Sequence, residues 1–260
     1  MKSSPVLRYY DIAPGVVAFS STRKGGCSQG NYGEFNVNEY CGDDNEAIAN
    51  NRNALCRELG IDGDKLIMPH QVHGIEIRQV AKDFLNLSIE TRRMVLDGVD
   101  AVMTDVRGVC IGVSTADCIP ILLYDSEHNA CCAVHAGWRG TVARIVEKAV
   151  SEMTLVYKTK PETLSACIGP GISLESFEVG DEVYHEFASA GFDMSVISQR
   201  MEKWHIDLWK CNCMQLESAG VLPASIQVAG VCTYSHANEY FSARRLGVDS
   251  GRIFTGIIIK

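Results

Sequence analysis

Residues 109–140 read VCIGVSTADCIPILLYDSEHNACCAVHAGWRG, and this stretch decides the fold. Residues 109–114, 119–124 and 130–135 are three short, nearly all-apolar runs close together in sequence, the pattern of strands buried on both faces. Asp125-Ser126-Glu127-His128 is turn chemistry, so the second and third runs form a hairpin. With those four residues as its loop, Tyr124 pairs with Asn129 and Cys118 falls opposite His135. Directly opposed residues share a face with Cβ atoms about 4.5–5.5 Å apart, close enough to hold one ion or to form a thiol–imidazole pair. Cys131 and Cys132, being adjacent on a strand, point to opposite faces.

Outward from this centre, period and caps mark helices. Asp44 precedes Ile48, Arg52, Leu55 and Leu59 at helical spacing, and Gly60 stands where a C-terminal cap belongs. Val142, Ile145, Val146, Ala149, Val150 and Met153 form a one-face pattern that predicts a helix over 141–154. Further helices are expected over 181–190 and over 207–219, the latter capped by Asp207. Strands are also expected at 15–20, 65–69, 75–80, 100–104, 164–168, 226–232 and 253–259. Ten strands and four or five helices in irregular order read as α+β rather than as repeating βαβ units.

The length of 260 residues suits one domain, with 46% hydrophobic and 22% charged residues in the ordinary globular range. No apolar run reaches the roughly 18 residues of a membrane span, and no apolar signal core precedes Arg8, so a cytoplasmic chain is expected. A net charge of −8 argues against a general nucleic-acid binder and leaves a small-molecule partner. Eleven cysteines without one CxxC pair exclude zinc ribbons and thioredoxin-type sites, and most are expected to pack in the core as reduced thiols.

Four polar elements interrupt this apolar plan: His70-Gln71-Val72-His73-Gly74, Thr115-Ala116-Asp117-Cys118, His135-Ala136-Gly137-Trp138-Arg139-Gly140, and Cys232-Thr233-Tyr234 with Ser242-Ala243-Arg244-Arg245. Two histidines and a cysteine are the count of a catalytic zinc whose fourth position stays open. The same residues could instead make Cys118 a nucleophilic thiolate with His135 as its base. Arg139, just before the 141–154 helix and between Gly137 and Gly140, suits an oxyanion or a loop carbonyl equally. Arg23-Lys24-Gly25-Gly26 is too short for a phosphate loop. Asp97-Gly98-Val99-Asp100 reads as a turn into a strand before it reads as acid–base chemistry, and His128, His185 and His205 read as surface or structural. Seven histidines with no His-x-His pair cannot supply a type 1 copper site and a trinuclear cluster together.

Taken in order, these motifs resemble the bacterial laccase-domain, or YfiH-like, family. The resemblance is carried by Ser21-Thr22-Arg23-Lys24-Gly25-Gly26, Phe35-Asn36-Val37, Gly42-Asp43-Asp44, Gln71-Val72-His73-Gly74, Asp97-Gly98-Val99-Asp100-Ala101, Ala116-Asp117-Cys118-Ile119-Pro120, His135 through Gly140, Ile168-Gly169-Pro170, Phe177-Glu178-Val179-Gly180 and Phe241-Ser242. Members have been described as multicopper polyphenol oxidases, as purine nucleoside phosphorylases and as a peptidoglycan-editing factor. The resemblance implies one layered α+β domain over 1–260, likened also to the cysteine hydrolases of bacterial toxins. It implies zinc, with copper the alternative, on His73, Cys118 and His135. Catalysis then falls to Cys118 and His135, and substrate or phosphate contacts in the same cleft to Arg23, Asn36 and Arg139. The implied reaction is phosphorolysis of inosine, guanosine, adenosine or methylthioadenosine, with adenosine deamination beside it. A cysteine hydrolase acting on cell-wall precursors through Cys118 and His135, or a polyphenol oxidase, is the alternative, and the implied state is a monomer or homodimer. Where the family carries Arg-Arg-Asp-Gly, this chain has Arg244-Arg245-Leu246-Gly247.

Overall fold

The computed structural model describes residues 4–260. Two mixed sheets lie face to face. The first has five strands in the order β1 (Leu7–Tyr10), β2 (Val16–Ser21), β14 (Ile253–Ile259), β6 (Cys110–Thr115) and β3 (Leu66–Ile67). The second has six, in the order β13 (Ile226–Val228), β9 (Leu164–Ile168), β7 (Ile119–Asp125), β8 (Ala130–Ala136), β5 (Ala101–Thr104) and β4 (Ile77–Gln79). A three-stranded ribbon, β10 (Glu178–Val179), β12 (Trp204–Ile206) and β11 (Ser198–Arg200), lies apart from both. The helices are α1 (Asn45–Leu59), α2 (Ile89–Val95), α3 (Trp138–Val142), α4 (Ile145–Tyr157), α5 (Asp181–Ser189), α6 (Met194–Ile197), α7 (Leu208–Ser218) and α8 (Ala243–Leu246). None is long and apolar enough to cross a membrane among the described residues.

Strands β6, β7 and β8 are buried along their whole length because apolar layers cover both faces. Ile111, Val113 and Ile257 of the first sheet meet Leu122, Cys131 and Ala133 of the second in the central layer. Ile121, Leu123, Cys132 and Val134 face the other way, onto Ile145, Val146, Ala149 and Met153 of α4 and Leu216 of α7. Beyond the first sheet, Phe19, Phe254 and Ile258 pack on Leu55 and Leu59 of α1. The order is therefore helix, sheet, sheet, helices. Cys131 and Cys132 do point to opposite faces, and all eleven cysteines are unpaired.

The expected caps are present at two helices. Asp44 accepts the Ala47 N–H at 2.8 Å while Gly60 takes φ +68, and Asp207 accepts the Lys210 N–H at 2.9 Å. Two local expectations need correction. The β7–β8 hairpin pairs Tyr124 with Cys131 and Pro120 with His135, two residues away from the expected register. Asp125 remains in the strand opposite Ala130, accepting the N–H groups of Glu127 and His128 at 2.9 and 3.2 Å, and the loop is 126–129. Asn129 closes it at φ +51, a conformation Asn tolerates better than most residues. An even slip leaves every side chain on its expected face. The 141–154 helix is also two helices, broken where Arg144 adopts φ +61. Its guanidinium sits 3.9 Å from the centre of the Phe192 ring and donates to the Ala190 carbonyl, so tertiary contacts hold the break.

Candidate metal centre

The centre forms where the two sheets join. Residues 70–74 leave β3, and Gln71 docks them to the end of β6: its amide donates to the Ser114 carbonyl at 2.9 Å and its carbonyl accepts the Ser114 N–H at 2.8 Å. Beneath the loop lies Asp100, fully buried. Its carboxylate accepts the N–H groups of Val72 (3.3 Å), His73 (2.9 Å) and Gly74 (2.7 Å), which holds His73 at φ +62. The same carboxylate lies 2.7 Å from Nδ1 of His135, at the end of β8. A carboxylate only accepts, so Nδ1 carries the proton and Nε2 is left for an ion.

Cys118 arrives from the connection between β6 and β7. Asp117 turns the chain at φ +85, its carboxylate accepting the Thr233 hydroxyl at 2.6 Å and the Arg244 N–H at 2.7 Å. The C-terminal Ser242–Arg245 stretch therefore acts behind the centre, positioning the turn that carries Cys118. Leu246 packs toward Tyr240, Phe241 and Ile253.

Donor atoms of His73, Cys118 and His135 lie within 4.8 Å of one another, and the two imidazole rings are 4.9 Å apart and nearly perpendicular. Gly137 leaves the room they need: a Cβ there would stand 3.0 Å from His73 Cδ2 and 3.1 Å from Cys118 Sγ. Burial raises the Cys118 thiol, but the charge of His135 and hydrogen bonds from both histidines outweigh it and bring the thiol down to about 6. Burial also disfavours a charged His135, and Cys118 together with Asp100 overcomes this to lift it to about 9. Burial pushes the Asp100 carboxyl up, while His135 and the loop N–H groups hold it below the usual carboxylate range. Two imidazole nitrogens, which ligate as neutral rings, and one thiolate, with a carboxylate behind, fit a borderline-soft divalent ion with an open fourth position. They are the one such group of three among the described residues, which leaves no donors for a multicopper array.

A cavity of about 240 Å³ opens above the three donors, lined also by Asn38, Tyr40, His70, Gln71, Ser114 and Arg252. Arg23, Asn36 and Arg139 were expected on this wall and are not there. The Arg23 guanidinium donates to the carbonyls of Gly33 (2.8 Å) and Ala237 (2.6 Å) and covers Phe241. Asn36 is buried one layer back, where its carbonyl accepts the N–H groups of Asn38 and Arg252 and so shapes the wall indirectly. Arg139 lies exposed on the short α3 helix, its guanidinium 4.3 Å from the Trp138 ring centre. The wall's arginine is Arg252, fixed by the carbonyls of Val248, Ser250 and Gly251. Sequence reasoning underrated Asp100, whose place three residues after Asp97 in an Asp-Gly turn had a simpler explanation, and it missed Arg252, which no motif marks. Of the remaining histidines, His128 pairs with Asp125 and His205 with the Leu174 carbonyl.

The family model described as multi-copper polyphenol oxidoreductase laccase matches residues 17–260. A purine nucleoside phosphorylase of Bacteroides thetaiotaomicron is 47% identical over 244 residues, covering 93% of this chain and 90% of the relative. Adenosine deaminase RL5, from an unknown prokaryotic organism, is 42% identical over 249 residues, 95% of each chain. Among solved structures, YlmD from Geobacillus stearothermophilus superposes with a TM-score of 0.89 at 30% identity, covering 95% of this chain and 94% of that one. A Bacillus licheniformis YfiH protein gives a TM-score of 0.87 at 26% identity over 97% and 99% of the two chains.

Proposed function

The chain belongs to the multi-copper polyphenol oxidoreductase laccase family, whose YfiH-like members include named purine nucleoside phosphorylases, and from that premise we propose that it is a zinc-dependent purine nucleoside phosphorylase that also deaminates adenosine. The observation that carries the reading is one cavity holding His73, Cys118 and His135 at its base with a buried carboxylate behind them. His73, Cys118 and His135 would hold the ion. When bound, zinc supplies a water acidified toward neutral pH and an electrophilic centre for a developing negative charge.

The chain's own groups do the rest. Asp100 keeps the proton on Nδ1 of His135 and fixes the His73 loop through three N–H groups, so the donors are oriented before an ion arrives. Arg252 gives the wall positive charge, and we assign it the phosphate contact that the resemblance implied among Arg23, Asn36 and Arg139. Gln71 and Asn38 are committed to Ser114 and stiffen the wall. The relatives' names support the two activities, phosphorolysis and deamination.

The test is chromatography of products after zinc-loaded protein meets adenosine with and without phosphate. Free purine base that appears only with phosphate, together with inosine formed in both conditions, supports the reading. Cys118→Ala should abolish both products while the protein stays folded by circular dichroism. Adenosine left intact in both conditions overturns the reading.

One observation favours a second reading. Cys118, His135 and Asp100 form a thiolate–imidazolium pair with an orienting acid, the arrangement of a cysteine hydrolase. That enzyme would keep its activity after chelation and lose it on labelling of Cys118 by an electrophile; the zinc enzyme loses activity on chelation.

A further inference from the structure

The 97–100 turn holds two carboxylates, and each takes a histidine of the cavity. Asp100 holds His135, while Asp97 lies 2.6 Å from Nδ1 of His70. The backbone there is fixed from both sides, His70 N–H donating to the Leu96 carbonyl and Val99 N–H to the His70 carbonyl. Tyr40 stacks on the His70 ring, centroids 4.4 Å apart and planes 29° from parallel. Both rings line the metal cavity, and both also line a shallower hollow of about 250 Å³ shared with Arg93, Met94 and Asp97. They therefore form the lip between the two spaces.

Stability does not account for this construction. The His70 and Asp97 side chains are 40% and 69% exposed, and an ion pair so wet adds little to folding. A carboxylate on Nδ1 does something more specific: it keeps the proton there and leaves Nε2, on the opposite edge of the ring, as a hydrogen-bond acceptor. Of the wall's other polar groups, Asn38 and Gln71 are committed to Ser114, Thr115 Oγ1 is buried without a partner, and Arg252, anchored on three carbonyls, is the group assigned to phosphate.

We propose that His70, oriented by Asp97 and backed by Tyr40, binds the substrate's purine base: its ring offers a stacking plane and its Nε2 accepts an N–H from the base edge. This rests on the nucleoside reading and names its base-recognising residue. The ribose then lies inward, toward His73, Cys118 and His135. Asp97 is a positioning residue that acts through His70.

Steady-state kinetics of zinc-loaded protein with adenosine and inosine tests the assignment. His70→Ala should raise KM about tenfold, the usual worth of one base–aromatic stack, with kcat and bound zinc within twofold of the parent. His70→Phe, which keeps the plane and loses Nε2, should recover part of the KM. Asp97→Asn should fall between parent and His70→Ala. An unchanged KM in a folded His70→Ala protein overturns the assignment, as does a loss of kcat and zinc together, which would make His70 a support of the metal loop. A parent protein that turns over no nucleoside overturns the nucleoside reading and this assignment with it, an outcome visible before any variant is made.

Discussion

Asp100 makes more of the centre's contacts than any donor does, although it touches no ion. Three loop N–H groups and one imidazole converge on its two oxygens. In Asp100→Asn one oxygen can still accept from the loop, but an amide NH₂ cannot accept from Nδ1 of His135. The variant should fold and bind zinc about 10–100-fold more weakly, the usual cost of losing a partner of a ligating histidine, as read by competition with a chromogenic chelator. Cys118 and His135 make a second expectation at the same scale. In the unfolded chain the imidazole titrates near 6.5 and the thiol near 9.0; folded, the thiol titrates at about 6 and the imidazole at about 9. The depressed thiol alone would make stability rise with pH from about 6 to 9. The raised imidazole alone would make it fall from 6.5 to about 9. The slopes cancel, because one proton is held in either state and has only changed residue. Metal-free protein should therefore show ultraviolet thiolate absorbance emerging near pH 6 while this pair leaves the melting temperature flat from about pH 6.5 to 9. Absorbance that emerges only near 9 would refute the pair.

Among the elements, the hairpin and the helix after it show what a sequence can and cannot specify. The apolar runs 119–124 and 130–135 mark both strands because burial on two faces leaves no polar position to find. Their register turned on whether Asp125 belonged to strand or turn, and that depended on side-chain-to-backbone bonds that composition does not reveal. The apolar stripe from Val142 to Met153 fits one helix, and only the packing of Arg144 on Phe192 divides it. Gly137, the N-cap of α3, sits in extended backbone at φ −68 and ψ 169 that any residue adopts, so its value is spatial. Gly137→Ala should fold yet press on His73 and Cys118. Its zinc affinity should drop while its melting temperature, measured without metal, stays within a few degrees. An unchanged affinity would show that the donors can shift by tenths of an ångström without cost.

For the molecule as a whole, His73, Cys118 and His135 stood out because polar residues interrupt apolar strands there, and the structure brings their donor atoms within 4.8 Å of one another. The binding wall was much less legible. Arg252 lies far along the chain from Asn38 and Tyr40, with nothing local to join it to them, whereas Arg23 and Arg139 sit in motifs of the resemblance, and the structure places Arg23 on loop carbonyls and Arg139 over an exposed ring. The centre also spans the seam between the sheets. His73 is docked by Gln71 to β6 of the first sheet, His135 belongs to β8 of the second, and Cys118 sits on the chain that passes between them. An ion held there would work as a clasp across a joint, its binding energy opposing any sliding of one sheet over the other. Amide exchange should slow on zinc loading at residues 112–121, which cross the joint, and change little along α4, which rests on one sheet alone. Equal slowing in both places would mean that the ion tightens the fold everywhere rather than at its seam.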